Sequence, residues 1–250
     1  MKLLDLFSGI GMFSLGLERA GFETVAFCEA DESCRKVLAK HWPNVPVIND
    51  VCELNNEKLQ ESGVTPGEIR AICGGFPCQD ISVAGKGAGL EGERSGLWYE
   101  FKRIIDEVKP DWVFIENVAN LRSKGLAAVL KDLWSLGYDA RWDLIPATAV
   151  GAFHERERTW IVANNQGERI QRMWPDGFKI SHTHAPEKVS GSLCHRFGQI
   201  ESDFCGVLNA HPRKLDKFEA ARLKQIGNSI VPDIPQRLGE EVLRVDFLFT

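Results

Sequence analysis

No stretch of the 250-residue sequence holds the ~18 consecutive apolar residues that a bilayer-spanning helix requires. The longest apolar runs, such as 112–115, are of strand length, so a membrane span is excluded. Internal repeats and low-complexity tracts are also missing, and a chain with 44% hydrophobic and 26% charged residues is neither fibrous nor disordered. Met1 and Lys2 run directly into Leu3, Leu4, Asp5, Leu6 and Phe7, with no charged leader, long apolar core or small-residue cleavage site. That start predicts a cytoplasmic protein. The seven cysteines are odd in number, in a chain large enough to need no covalent staples, which points to reduced thiols. There is no basic surplus either. A net charge of −5 argues against a protein that coats nucleic acid. Its distribution is uneven, however: residues 165–224 carry ten Lys/Arg against seven Asp/Glu, and four of the six histidines fall there. Phosphate contacts, if any, belong in that stretch and at scattered arginines.

What is present is an alternation of short β-like runs with helical periodicity. Strands are expected at 2–7, 23–28, 70–73, 111–116 and 158–163. Phe13, Gly16, Leu17 and Ala20 share one face of a helix that Gly21 stops, and Asp31 is placed to cap a second helix with Cys34, Val37 and Leu38 inward. Helices are further expected at 97–108, 123–136 and 233–245, the last with Ile234, Leu238 and Val242 on one face. Such alternation predicts an α/β fold with a doubly wound, mostly parallel sheet, whose ligands lie beyond the carboxyl ends of the strands. From about 165 to 216 the alternation fails, and the chain reads as a small irregular insertion. The expected organisation is therefore a domain of residues 1–164, a small region at 165–216, and a segment at 217–250 that returns to the first domain.

Three clusters carry chemistry. The first is the turn Asp5-Leu6-Phe7-Ser8-Gly9-Ile10-Gly11, where glycine allows a ligand close to backbone N–H groups. Ser14 stands where a dinucleotide fingerprint wants its third glycine, so NAD is not favoured. Glu29, ending the second strand, is placed for a ribose diol, and Asp50 for an adenine amine. The second cluster is Gly74-Gly75-Phe76-Pro77-Cys78-Gln79-Asp80-Ile81-Ser82. Its cysteine sits past a strand end among residues that make no packed apolar shell, a setting for a nucleophile rather than an inert core thiol. A glycine-rich stretch with Lys86 and Arg94 follows, suited to closing over a substrate. The third cluster, Glu116-Asn117-Val118, puts a carboxylate at the end of an apolar strand, where its pKa can rise and its proton be shared with a substrate nitrogen. The plainer readings are a capping turn with two surface acids for the first, an inert core thiol followed by a surface loop for the second, and a helix-capping pair for the third. His182, His184, Cys194, His195, Cys205 and His211 follow no common zinc spacing, so no metal is expected.

Taken in order, DLFSGIG, GGFPCQDIS, RSGLW, ENV, Arg156-Glu157-Arg158 and QIGNSIVP resemble the motif series of the DNA (cytosine-5)-methyltransferases. The resemblance spans nearly the whole chain outside 165–216. It implies a Rossmann-like S-adenosylmethionine-dependent methyltransferase fold, with 165–216 as the target-recognition region. Phe7, Gly9, Gly11, Glu29, Asp50, Pro77 and Leu97 would line the S-adenosylmethionine site, with Asn228 and Ser229 closing it. Cys78 would be the nucleophile, Glu116 would bond cytosine N3, Arg158 would hold O2, and Asn117 would support them. Gln79, Ser82, Lys86, Arg94 and Arg156 would meet double-stranded DNA. The chain departs from the family pattern at Met12, Ala30 and His154, and its recognition region is short, which predicts brief or relaxed target recognition. RNA as substrate, or a catalytically idle DNA-binding protein of the same fold, are the competing readings; a restriction-modification setting and a monomer are the expected context.

Overall fold

The computed structural model describes residues 1–77, 96–152, 154–173 and 229–248. The chain divides into two compact units, Met1–Ile180 with Val231–Thr250, and Ser181–Ile230. In the second unit only Ser229 and Ile230 are among the described residues.

The first unit is built on seven strands: β1 (Lys2–Leu6), β2 (Glu23–Cys28), β3 (Val47–Ile48), β4 (Ile69–Gly74), β5 (Trp112–Val118), β6 (Asp139–Pro146) and β7 (Glu157–Asn164). They form one sheet in the order β3-β2-β1-β4-β5-β7-β6. The four pairings from β3 through β5 are parallel, and β7 runs antiparallel to both its neighbours. The doubly wound, mostly parallel sheet expected from the alternation is the observed one. Because β1 sits between β2 and β4, the winding reverses there, and the carboxyl ends of β1 and β4 are where a sheet of this topology forms its ligand crevice.

Among the described residues the α-helices are α1 (Met12–Ala20), α2 (Glu32–His41), α3 (Asn56–Glu61), α4 (Gly96–Val108), α5 (Leu121–Lys124), α6 (Leu126–Ser135), α7 (Gly167–Met173) and α8 (Asp233–Phe247). Local chemistry sets several ends. Asp31 caps α2 by accepting from the backbone N–H groups of Ser33 and Cys34, and Gly21, at φ 113°, ends α1 with its N–H on the carbonyls of Leu17 and Glu18. One expected helix, 123–136, is two: Gly125 leaves helical geometry and divides α5 from α6. The strand expected at 111–116 continues to Val118, because pairing with β7 carries it past the apolar run. Helix α7 adds about two regular turns at the start of the stretch read as irregular.

Trp112, Val113, Phe114 and Ile115 are all fully buried, since β5 is covered on both faces. One face packs Leu4, Leu6, Ile72, Val113 and Ile115 against Phe101, Ile105, Val129 and Leu133 of α4 and α6. On the other, edge-on ring contacts join Phe22 to Phe114 and Phe13 to Trp160, and α1 lies against α8. That contact is close because Gly16 and Gly239 have no side chains. A Cβ on Gly16 would come within 2.2 Å of the Pro232 carbonyl oxygen, and one on Gly239 within 2.9 Å of the Ala20 methyl.

Candidate active site

The strand ends bring most of the described candidate residues to one edge of the sheet. Phe7 to Gly11 follow β1, Glu29 follows β2, Asp50 follows β3, Phe76 and Pro77 follow β4, and Glu116 and Asn117 end β5. Arg156 and Arg158 reach the same edge for the opposite reason: β7 is antiparallel, so its first residues arrive where the other strands finish. That reversal is not visible in the sequence.

The turn after β1 is held by its own polar atoms. Phe7, Gly9 and Gly11 all have positive φ (54°, 54° and 82°). The buried Ser8 hydroxyl donates to the Asp5 carbonyl at 2.8 Å, and Gly11 N–H to the Ser8 carbonyl at 2.8 Å. Glu29 ties this turn to the next: one carboxylate oxygen accepts from Gly9 N–H at 2.6 Å, the other from Asp31 N–H at 2.7 Å. The two glycines differ in their surroundings. A Cβ on Gly9 would meet nothing within 4 Å, whereas one on Gly11 would lie 2.7–2.9 Å from Trp42 and Leu38. Open space thus lies over Gly9, and Gly11 serves the packing of α2 and its C-terminal tryptophan against the turn.

Beneath the turn sits a buried acid that the motif reading passed over. Asp5, wholly buried, accepts from the Ser14 hydroxyl at 2.7 Å. Burial pushes its carboxyl up to about 7, and the hydrogen bonds from Ser14 and Cys73 only partly offset that. An acidic residue inside an apolar strand run was the signal available in the sequence.

Across the crevice, Glu116 and Arg158 form an ion pair, Nε to Oε1 at 2.9 Å, with side chains only 12% and 24% exposed. Burial drives the Glu116 carboxyl up to about 7, against the pull of Arg158 and Arg156. Burial, then repulsion from Arg158, lowers the pKa of Arg156. So Arg156, expected on DNA, stands within electrostatic reach of Glu116. Asn117 is buried and donates to the Phe76 carbonyl at 3.0 Å, while its side-chain oxygen accepts from Val118 N–H at 2.9 Å. It thereby fixes the backbone that leads into Pro77. Gly75 lets Glu116 come close, since a Cβ there would lie 2.9 Å from Oε2. Thr159 adds a bond from its hydroxyl to the Val118 carbonyl at 3.1 Å, a contact that no sequence motif announced.

The remaining candidates are less integrated. Pro77 and Asp50 are exposed, and Asp50 accepts from Cys52 N–H at 2.9 Å. Leu97 is half-buried against the core and Ser229 is half-buried in the second unit. Cys78, Gln79, Ser82, Lys86, Arg94 and Asn228 lie outside the described residues, as do the histidines and cysteines between 182 and 211. Cys28, Cys34, Cys52 and Cys73 are not joined in disulfides.

The arrangement is one of a carboxyl of raised pKa, a guanidinium bonded to it, and a glycine turn opening on the same crevice. Known proteins resemble the chain over most of its length. The family described as C-5 cytosine-specific DNA methylase matches residues 1–212. The Type II methyltransferase M.CviJI of Paramecium bursaria Chlorella virus IL3A is 36% identical over 93% of this chain and 56% of its own. M.AquIA of Picosynechococcus is 33% identical over 77% of this chain and 80% of its own. Among solved structures, the Entamoeba histolytica methyltransferase EhMeth shares the fold with a TM-score of 0.57 over 66% of this chain and 53% of that one, at 17% identity. The chain spans about half the length of most of the curated relatives it matches. With that much of its length matched, the chain belongs to the C-5 cytosine-specific DNA methylase family.

Proposed function

We propose that the protein transfers a methyl group from S-adenosylmethionine to C5 of cytosine in duplex DNA. The observation that carries this reading is the Glu116–Arg158 pair. A carboxyl with a pKa of about 7 can give a proton to a ring nitrogen at neutral pH, and the guanidinium beside it can hold the neighbouring carbonyl oxygen. Together they match N3 and O2 on the edge of cytosine. S-adenosylmethionine, when bound, supplies an electrophilic methyl carbon on a sulfonium. The turn after β1 fits such a group: Gly9 has open space over it, Glu29 stands beside it at the next strand end, and the exposed Asp50 follows β3.

Cytosine C5 is too weak a nucleophile to take a methyl group unaided. In the proposed sequence the Cys78 thiolate adds to C6, and the electron pair of the C5–C6 bond moves through the ring as Glu116 protonates N3. C5 would then take the methyl carbon, whose bond to the sulfonium sulfur would break so that S-adenosylhomocysteine leaves. Loss of the C5 proton to a base restores the double bond and expels the thiolate, and N3 returns its proton to Glu116. A base stacked in a duplex presents no open face to a thiolate, so the cytosine is flipped out first. Gln79, Ser82, Lys86 and Arg94 would contact the DNA around it.

The test is incubation with S-adenosylmethionine and duplex DNA carrying 5-fluorocytosine, followed by denaturing electrophoresis. Fluorine cannot leave C5 as a proton does, so a covalent adduct mapping to Cys78 is expected, and none with Cys78→Ser. An adduct with fluorinated RNA alone would shift the substrate to RNA. Absence of adduct with either would overturn the reading in favour of an idle fold.

A further inference from the structure

Helix α4 begins next to the catalytic segment in sequence, yet its middle is tied to the opposite, cofactor side of the crevice. Near its start, Trp98 packs on Phe76 with ring centroids 5.2 Å apart, and Phe101 stacks on Phe7 at 6.2 Å. One turn on, Arg103 leaves the helix for the segment after β3. Its Nη2 donates to the carbonyls of Val51 at 3.1 Å and Leu54 at 2.8 Å. The same guanidinium is held from its own helix by Glu100, on Nε at 2.8 Å, and by Glu107, on Nη1 at 3.1 Å. Glu107 adds a third tie, accepting from Asn56 N–H at 2.6 Å, and Asn56 returns a bond to the Glu107 carbonyl at 3.3 Å.

The segment that Arg103 holds begins with Asp50. Only two residues of β3 join the sheet, so residues 49–55 have no ladder to fix them. Their order comes from the buried side chains of Val51 and Leu54, from the turn in which Glu53 N–H bonds the Asp50 carbonyl at 3.2 Å, and from Arg103. Two carbonyls on buried residues require a donor, and a planar guanidinium clamped by two carboxylates is a rigid one.

We propose that Arg103 is a positioning residue for cofactor selectivity: by fixing the carbonyls of Val51 and Leu54 it aims the Asp50 carboxylate at the exocyclic amine of the adenine. This rests on the proposed methyl transfer and on Asp50 as the adenine acceptor. Asp50 acts on the ligand and Arg103 acts through Asp50. The effect belongs in binding and in discrimination at the adenine 6-position, and not in the rate once cofactor is saturating.

The experiment is calorimetric binding of S-adenosylhomocysteine and of its analogue lacking the 6-amino group, to wild type, Arg103→Met, Arg103→Lys, Asp50→Ala and the Arg103→Met/Asp50→Ala double variant. Wild type should prefer the amino form. Arg103→Met should weaken that form by about tenfold, the scale of losing hydrogen bonds from a charged donor, and erase the preference. Arg103→Lys should recover part of it, and adding Arg103→Met to Asp50→Ala should cost little more. At saturating cofactor, kcat should stay within about twofold of wild type while KM for the cofactor rises. If wild type binds and Arg103→Met keeps both affinity and preference, the inference is wrong although the methyl-transfer reading stands. The inference fails in the same way if both analogues weaken equally in Arg103→Met and Arg103→Lys, since that describes general loosening. If wild type binds no adenosyl ligand at all, both readings fall together.

Discussion

Glu116 concentrates the chemistry in one ionisable group. Its neutral form can donate to a ring nitrogen, and burial raises that form's share near pH 7 despite Arg158 at 2.9 Å. The step that consumes the proton should therefore slow as the pH rises through about 7. Glu116→Gln keeps the shape but has no proton to give. Single-turnover rates should drop by at least ~100-fold, with DNA affinity nearly unchanged, because a proton donor acting in the transition state contributes that much. The basic limb of the pH–rate profile should vanish with it. Equal losses in rate and DNA affinity would mean that the carboxylate holds the fold of the site instead. Glu116 was legible from its position after an apolar strand, but its partner's approach was not: Arg158 arrives on an antiparallel strand, and the gap that admits the carboxylate is the missing side chain of Gly75.

At the scale of elements, the contact between α1, the helix that follows the turn after β1, and α8 joins the chain's first helix to its last described one. The contact depends on two glycines. A methyl group on Gly16 meets a backbone carbonyl oxygen, which cannot swing aside as a side-chain tip would, so Gly16→Ala must part the helices. Overpacking of this kind costs roughly 1–3 kcal/mol, to be read as a lower urea midpoint at unchanged m-value. A midpoint at or above that of the wild type would show that α1 moves freely there. The elements best read from sequence were those with strong local signals: the Asp31 cap, the Gly21 stop, the apolar run of β5 and the buried face of α8. The weakest were those set by tertiary pairing. β3 has two residues and borrows its conformation from β2, β6 carries mixed burial with no clean alternation, and the break at Gly125 divides a continuous helical periodicity. For the site, residue types and order were legible, while the ties among them, such as Asn117 to the Phe76 carbonyl and Glu29 to Gly9, depend on which strand ends meet.

For the whole molecule, the two carboxyls of raised pKa among the described residues make stability depend on pH in a direction opposite to that of ordinary surface acids. Asp5 rises from 3.8 to about 7, and Glu116 from 4.5 to about 7. A group that binds its proton more tightly when folded contributes stability that is complete below its unfolded pKa and is lost as pH rises through its folded one. Asp31 and Glu32 work the other way: hydrogen bonds from the Ser33 hydroxyl and the Cys34 backbone to Asp31, and from Lys36 to Glu32, lower their pKa values, so their contributions fade only in acid. Between pH 5 and pH 8 the first pair dominates, and unfolding free energy should fall across that window. Asp5→Asn separates the terms. The amide never ionises, and its side chain can still accept from Ser14, so the variant should lose much of the slope and gain on wild type at pH 8. About 4 kcal/mol is the upper limit of that gain, set by a shift of roughly three units at about 1.4 kcal/mol each. Urea titrations of both proteins at pH 5 and pH 8 provide the check. Parallel slopes would mean that Asp5 ionises as easily in the fold as out of it.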